Sequence, residues 1–212
     1  MNVVRVAVGQ LETNCWIVSD GRGGPAIVID PGGDADDILE AIGENPVVAI
    51  VLTHGHFDHL GAVRSVIAAT VAPLLVHADD AASSTTPEGN GGAFFGFSAS
   101  APAASRTLVD GDTVVAGALV LRVLHTPGHT PGGISLFAED PDGGAPALFS
   151  GDTLFAGSVG RTDFPGGDAR ALSRSIAEKL APLPGDTQVH PGHGPDTTIA
   201  RERKLNLFFP RA

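Results

Sequence analysis

Several residue types that commonly carry a protein's chemistry are nearly missing from this chain. Its 212 residues include one cysteine, one tryptophan, one methionine and no tyrosine. A lone Cys15 excludes an internal disulfide, and its place in the run CWIVS reads as a small buried apolar residue rather than a nucleophile. Cations are scarce too: 13 Lys and Arg face 24 Asp and Glu, a formal net charge of −11 with histidines neutral. That balance opposes a polyanionic partner and disfavours nucleic acid. No stretch approaches the roughly 18 continuous apolar residues of a membrane span. The opening MNVVRVAVGQLETN has neither the apolar core nor the small-residue cleavage site of an export signal, so a cytoplasmic protein without a membrane partner is expected.

What is present suits a folded domain. Hydrophobic residues make up 42 % of the chain, and 28 glycines with 16 prolines stay below the level that marks a low-complexity sequence. The length fits one domain across residues 1–212; composition says nothing of oligomeric state. Apolar, β-branched runs separated by turn residues read as at least eight strands: NVVRVAV, CWIVS, AIVID, VVAIVLT, PLLVHA, ALVLRVLHT, GGISLFA and ALFSGD. Helical patterns cover 34–44, 59–69, 168–181 and a last stretch from about 197, whose RERK cluster reads as a solvated face. Strands then helix then strand in this order predict a mixed α/β architecture with helices covering sheets. The tract 83–105, with Phe94, Phe95 and Phe97, reads as a lid or a mobile loop.

Chemistry concentrates in THGHFDHLGA, residues 53–62, where three of the chain's eight histidines and an aspartate fall within six positions. If His54 and His56 continue the preceding strand, the two-residue period aims both imidazoles to one side. Asp58 and His59 then start a helix, turned away from that pair but close to it. Imidazole and carboxylate without thiolate suit Zn, Fe or Mn in a hydrolytic or oxygen-handling site. His129, Asp152 and His193 each follow a strand-like run within a Gly-rich turn and supply further candidate ligands. Taken singly, Asp152 reads as a turn or capping residue and the two histidines as ordinary loop residues. Taken with residues 54–59 they read as a set for two neighbouring metals. His77 and His190 read as strand-end residues, and His125 as a strand-end residue or a support for a ligand.

The H-x-H-x-D-H run, together with His129, Asp152 and His193, is similar to the metallo-β-lactamase superfamily, and the likeness covers essentially the whole chain. TNCWIV, HTPGHTPGG, FSGDTLFAGSVGRTDFPGGD and HPGHGPDTTIARER resemble its glyoxalase II (hydroxyacylglutathione hydrolase) branch. The resemblance implies a four-layer αββα sandwich with metals at one edge of two sheets. It implies that His54, His56 and His129 bind one divalent metal, Asp58, His59 and His193 a second, and that Asp152 bridges them, zinc being the leading candidate ahead of iron or manganese. A metal-bridging hydroxide, oriented by Asp58, would attack the carbonyl of a small-molecule thioester such as S-lactoylglutathione.

Two departures bear on the substrate. Glyoxalase II proper adds a helical C-terminal domain that grips glutathione with basic and tyrosine residues, whereas this chain has no tyrosine and stops soon after TTIARERKLN, so a relaxed preference for the thiol carrier is expected. GRTDF, 160–164, also occurs in related persulfide dioxygenases that use a single Fe(II), the competing activity. Arg161 either anchors a substrate carboxylate or braces itself on Asp163. A non-catalytic metal-binding module ranks below both enzymes, and a β-lactamase or a nuclease fits less well.

Overall fold

The computed structural model describes residues 1–21 and 23–210. The first sheet contains β1 (Asn2–Val8), β2 (Thr13–Ser19), β3 (Ala26–Ile29), β4 (Val47–Val51), β5 (Leu74–His77) and β6 (Arg106–Leu108), hydrogen-bonded in that order. The second contains β7 (Thr113–Ala116), β8 (Leu119–His125), β9 (Ile134–Ala138), β10 (Ala147–Gly151), β13 (Gln188–Pro191) and β14 (Thr197–Thr198), in order β14-β13-β10-β9-β8-β7. A small hairpin, β11 (Leu154–Phe155) and β12 (Ser158–Val159), stands apart. Helices α1 (Ala35–Ile42) and α2 (Val63–Thr70) cross between parallel strands of the first sheet. Helix α3 (Ala169–Ser175), prolonged by a π-turn Ile176–Leu180, links parallel β10 and β13, and α4 (Ile199–Leu205) follows β14.

The two-residue period of the strands distributes the apolar side chains into three buried layers. Ile27 and Ile29 of β3 meet Leu121 and Val123 of β8 and Phe149 of β10 between the sheets. The alternate residues Ala26 and Val28 face Ile38 of α1 and Val63 and Val66 of α2. On the far side Leu124, Phe137 and Leu148 pack under Leu172, Ile176 and Ile199. The architecture is therefore the four-layer αββα sandwich, with no helix among the described residues long and apolar enough to cross a membrane.

All eight anticipated strands form, each within two residues of its expected limits. Short β6, β7 and β11 to β14 were not anticipated. The helix expected over 59–69 is corrected: Phe57–His59 is a separate 3₁₀ turn, and α2 begins only at Val63. Its cause is a tight fit against the turn after β3. A Cβ at Gly61 would collide with the Gly32 carbonyl, and Ala62 N–H donates to Pro31 O (2.9 Å), so the chain bends there. The RERK cluster needs correcting as well, because Glu202 within it is fully buried. Its carboxylate accepts from Thr197 Oγ1, Gly157 N–H (2.8 Å) and Asn206 Nδ2 (2.9 Å), tying α4 to the β11–β12 hairpin.

Candidate metal centre

Parallel strands end with their loops at one edge of the sandwich, the usual place for a ligand site in α/β sheets. β4 leads to His54 and His56, β10 to Asp152, and β13 to His193; β8 leads over a Pro-Gly turn to His129. β4 stops at Val51, so His54 and His56 are not neighbours on an extended strand; His54 lies in a bend and only His56 is extended. Their rings still meet, with centroids 4.8 Å apart.

The donor atoms fall into three overlapping groups, each within 4.8 Å: His54, His56 and His129; His54, His59 and Asp152; and Asp58, His59 and His193. Asp152 stands between the other two groups, with Oδ1 3.5 Å from His59 Nε2 and Oδ2 3.5 Å from His129 Nε2 and 3.8 Å from His193 Nε2. All seven residues named from the sequence come together. Gly192 permits the approach, since a Cβ there would run into Asp152 Oδ1 and His59.

Hydrogen bonds assign the ring orientation. Thr53 Oγ1 donates to Asp30 Oδ2 (2.6 Å) and so accepts from His54 Nδ1 (3.1 Å). His59 Nδ1 donates to Asp30 Oδ2 (3.0 Å), His129 Nδ1 to Arg161 O (2.7 Å) and His193 Nδ1 to Leu11 O (3.1 Å). With Nδ1 engaged, each of the four imidazoles directs Nε2 inward, the arrangement metal-binding histidines usually show. His54 Nε2, His59 Nε2 and Asp152 Oδ1 are buried and lack a hydrogen-bond partner. Leaving a buried polar atom unpaired costs about 1–3 kcal/mol, and here three are clustered at one point. A divalent cation satisfies all three, so the residues fit the metals that the sequence implied.

Charge differs across the cluster. Burial and the neighbouring His59 and His129 lower the pKa of His54, while burial and His129 lower that of His56 to about 3. Burial works against a charged His59, yet Asp58, Asp152 and Asp30 push its pKa up to about 10. His193 is raised by Asp58 and Asp152 against the same burial. Burial opposes ionisation of Asp58, but His59 and the hydrogen bond from His193 Nε2 (3.1 Å) hold its carboxyl well below the usual range. In the metal-free chain, protons on His59 and His193 thus supply positive charge where a cation would sit.

Two supports escaped the sequence reading. Buried Asp30 holds Thr53 and His59 as above, and its backbone is left-handed, φ 53°. Buried Asp80 accepts from Gly55 N–H (2.9 Å), Thr130 Oγ1 (2.7 Å) and Gly132 N–H (2.7 Å), so it ties the His54–His56 loop to the His129 loop. Both follow strand runs, VID and VHADD, the signal that had singled out Asp152. Asn14, in TNCWIV, donates to Pro191 O and Gly194 O (both 2.9 Å) and clamps the His193 loop.

Among the remaining histidines, His190 lies between the Trp16 and Phe149 rings, away from the donors. His125 Nε2 donates to Pro131 O (2.9 Å) and so steadies the loop carrying His129. His77 stacks on His125 at 4.0 Å and 14°, near Asp79. Their in-plane lone pairs lie in two nearly parallel planes, and the Asp79 of this group is exposed, unlike any member of the set above. Arg161 makes a two-pronged bond to Asp163 (2.7 and 2.8 Å) and lies over the Phe164 ring at 3.7 Å, which is the brace rather than a free anchor.

Above the donors opens a cavity of about 540 Å³ whose wall includes Phe94, Phe95 and Phe97. Tract 83–105 is folded there, with 3₁₀ turns at Ser83–Thr85 and Gly92–Phe95, and Asn90 Nδ2 donating to Ala99 O (2.8 Å).

Comparison with known proteins agrees with this geometry. The chain is 37 % identical to the probable metallo-hydrolase YqgX of Bacillus subtilis over 97 % of this chain and 96 % of that protein. It is 34 % identical to the hydroxyacylglutathione hydrolase GloC of Haemophilus influenzae over 99 % and 98 %. Among solved structures, the BLEG-1 B3 metallo-beta-lactamase superposes with a TM-score of 0.91 at 36 % identity, covering 98 % of this chain and 99 % of that one. TTHA1623 in a di-iron-bound form gives 0.84 at 39 % identity, covering 98 % and 100 %. With the superfamily's own family model matching residues 8–193, the chain belongs to the metallo-beta-lactamase superfamily of metallo-hydrolases.

Proposed function

We propose that this protein is a metal-dependent hydrolase of small-molecule thioesters, acting as a single domain over residues 1–212. The observation that carries the reading is the convergence of seven imidazole and carboxylate donors beneath an open cavity, with three of their buried atoms unpartnered. GloC, similar along nearly its whole length, is a hydroxyacylglutathione hydrolase and supports the choice of substrate. His54, His56 and His129 would hold one metal and Asp58, His59 and His193 a second, with Asp152 placed to serve either. Divalent cations bound there, zinc first and iron or manganese next, supply Lewis acidity toward a carbonyl and make water nucleophilic at neutral pH.

The chain's own residues do the rest. Asp58, which lines the cavity, accepts a hydrogen bond from the attacking water and aims it at the acyl carbon. Asp30 and Asp80 keep the imidazoles fixed while charge shifts. The carbon–sulfur bond breaks with its electrons leaving on sulfur; a thiol of pKa about 8.5 departs as thiolate, so the site needs no strong general acid.

A second reading, lactam hydrolysis, is favoured by the likeness to BLEG-1. One set of assays separates the readings. Metal content per chain is measured on the purified protein, which is then offered S-lactoylglutathione under argon, a chromogenic cephalosporin, and glutathione persulfide with an oxygen electrode. Thioester turnover without oxygen is the expected result. Turnover of the cephalosporin alone would assign the lactam activity, and oxygen consumption by an iron-loaded sample alone would assign a persulfide dioxygenase.

A further inference from the structure

The chain is poor in aromatics, 5 % with no tyrosine, yet six of its ten phenylalanines line the one cavity above the metal donors. Phe57 stacks on Phe95 and Phe97, with centroids 5.6 and 4.8 Å away. Phe95 meets Phe164 edge-on at 5.9 Å, and Phe164 meets His56 at 5.9 Å. Across the donors Phe155 approaches His193 at 6.2 Å. The wall thus runs from one end of the donor cluster to the other.

Phe94 and Phe95 remain 73 % and 53 % exposed, on a turn whose flanking Gly91 and Gly96 are left-handed, φ 81° and 79°. Rings presented this way contribute little to the core and are available to a ligand. The charges around the cavity point the same way. Arg161, the one Lys or Arg among its described lining residues, already has both prongs on Asp163, His193 is engaged with Asp58, and Glu88 adds an exposed carboxylate. A carrier bearing several carboxylates finds no uncommitted cation among the described lining residues.

We infer that this pocket selects substrates carrying an uncharged aromatic or branched aliphatic group within a few bonds of the reacting carbonyl, gripped by Phe94, Phe95 and Phe164. The inference rests on the thioesterase reading for the reaction, but not for the binding. A ring seated against this wall loses apolar surface to the protein, and each buried methylene is worth about fourfold in binding. Phe95 is a specificity-determining residue whose contribution appears in KM more than in kcat, because it touches the remote part of the substrate.

The test uses thioesters of one small neutral thiol whose acyl group grows from acetyl to isovaleryl to phenylacetyl. A second series holds acetyl constant and enlarges the thiol. Binding is read separately by calorimetry with uncleavable ketones in which CH2 replaces sulfur. The expected result is a rise in kcat/KM of at least about tenfold from the smallest to the phenyl member of one series, carried by KM, with a parallel fall in Kd of the ketones. Which series rises tells whether the acyl or the thiol side occupies the wall. Phe95→Ala should flatten that ratio and Phe95→Leu should recover part of it. Flat ketone affinities, or tighter binding of a succinyl than of a phenylacetyl analogue, would overturn the inference. Failure to cleave any thioester while the phenyl ketone still binds best would sink the thioesterase reading and leave the pocket's preference standing.

Discussion

In the half of the centre made by His54, His56 and His129, burial keeps His54 and His56 uncharged and no carboxylate belongs to the trio. In the half made by Asp58, His59 and His193, three carboxylates draw protons onto two imidazoles. Two buried aspartates support the halves unequally: Asp80 bridges the loops of the first, while Asp30 grips His59 of the second directly and reaches His54 of the first only through Thr53. The difference teaches that, on the two-metal reading, the first half would receive a cation as neutral lone pairs. The second would have to exchange protons for it.

Removing the shared residue is the strongest way to break the comparison. Asp152→Ala should empty both halves and cost more than the roughly 10–100-fold loss typical of an outer hydrogen-bond partner. Metal content and turnover, read on one sample, check it; a variant retaining both at full level refutes the position between the halves.

Next in size are the two supports. Asp80→Ala leaves Gly55 N–H, Thr130 Oγ1 and Gly132 N–H without their acceptor, and an unsatisfied buried donor costs about 1–3 kcal/mol. It should lower the affinity of the half containing His129 by roughly 10–100-fold while sparing the other. Asp30→Ala should weaken the half containing His59 most, with a smaller loss in the other half through Thr53 and His54. Two-step metal titrations with a chromophoric ion such as cobalt distinguish the halves; if both variants weaken the same step most, the supports do not divide between the halves.

The proton difference sharpens the comparison with a smaller effect. His59 in the metal-free chain has its pKa raised from 6.5 to about 10. A raised folded-state value adds stability that is complete below the unfolded value and vanishes as pH climbs through the folded one. On this account the metal-free protein loses stability from about pH 6.5 toward 10. The loaded protein, its imidazoles already deprotonated, lacks this dependence. Metal loading at neutral pH should release protons in an unbuffered titration, chiefly as the second half fills. A loading step with no proton release contradicts it.

Arg161 gives the smallest effect. Both partners of its ion pair are exposed, at 51 % and 67 %, where such pairs contribute little. Arg161→Ala should leave metal content and melting temperature almost unchanged, because His129 is held by the Arg161 carbonyl rather than its side chain.

The sequence made the donors legible because imidazole and carboxylate at H-x-H-x-D-H spacing have few other uses, and because long apolar strands announce themselves by composition. Asp30 and Asp80 stayed hidden among many acidic residues, since an aspartate that accepts three hydrogen bonds looks the same in a sequence as one in water. The two-residue β11, β12 and β14 are too short for a period to be read. The break between His59 and Val63 depends on contact with Gly32, some thirty positions earlier, which no local pattern encodes. Burial of Glu202 depends likewise on Gly157, 45 positions away.

The clamp from Asn14 to Pro191 and Gly194 joins positions 177 and 180 apart in the chain. During synthesis at about 5–20 residues per second, β2 therefore waits roughly 10–40 s for the partner of its leading edge. Over that interval the histidines of residues 54–59 are already made, while His193 has yet to be translated. The first half of the centre has all its donors once His129 emerges, so a nascent chain can meet a metal there before the second half exists. The order of the candidate ligands along the chain, with His193 last, thus sets the order in which the two halves become available during synthesis.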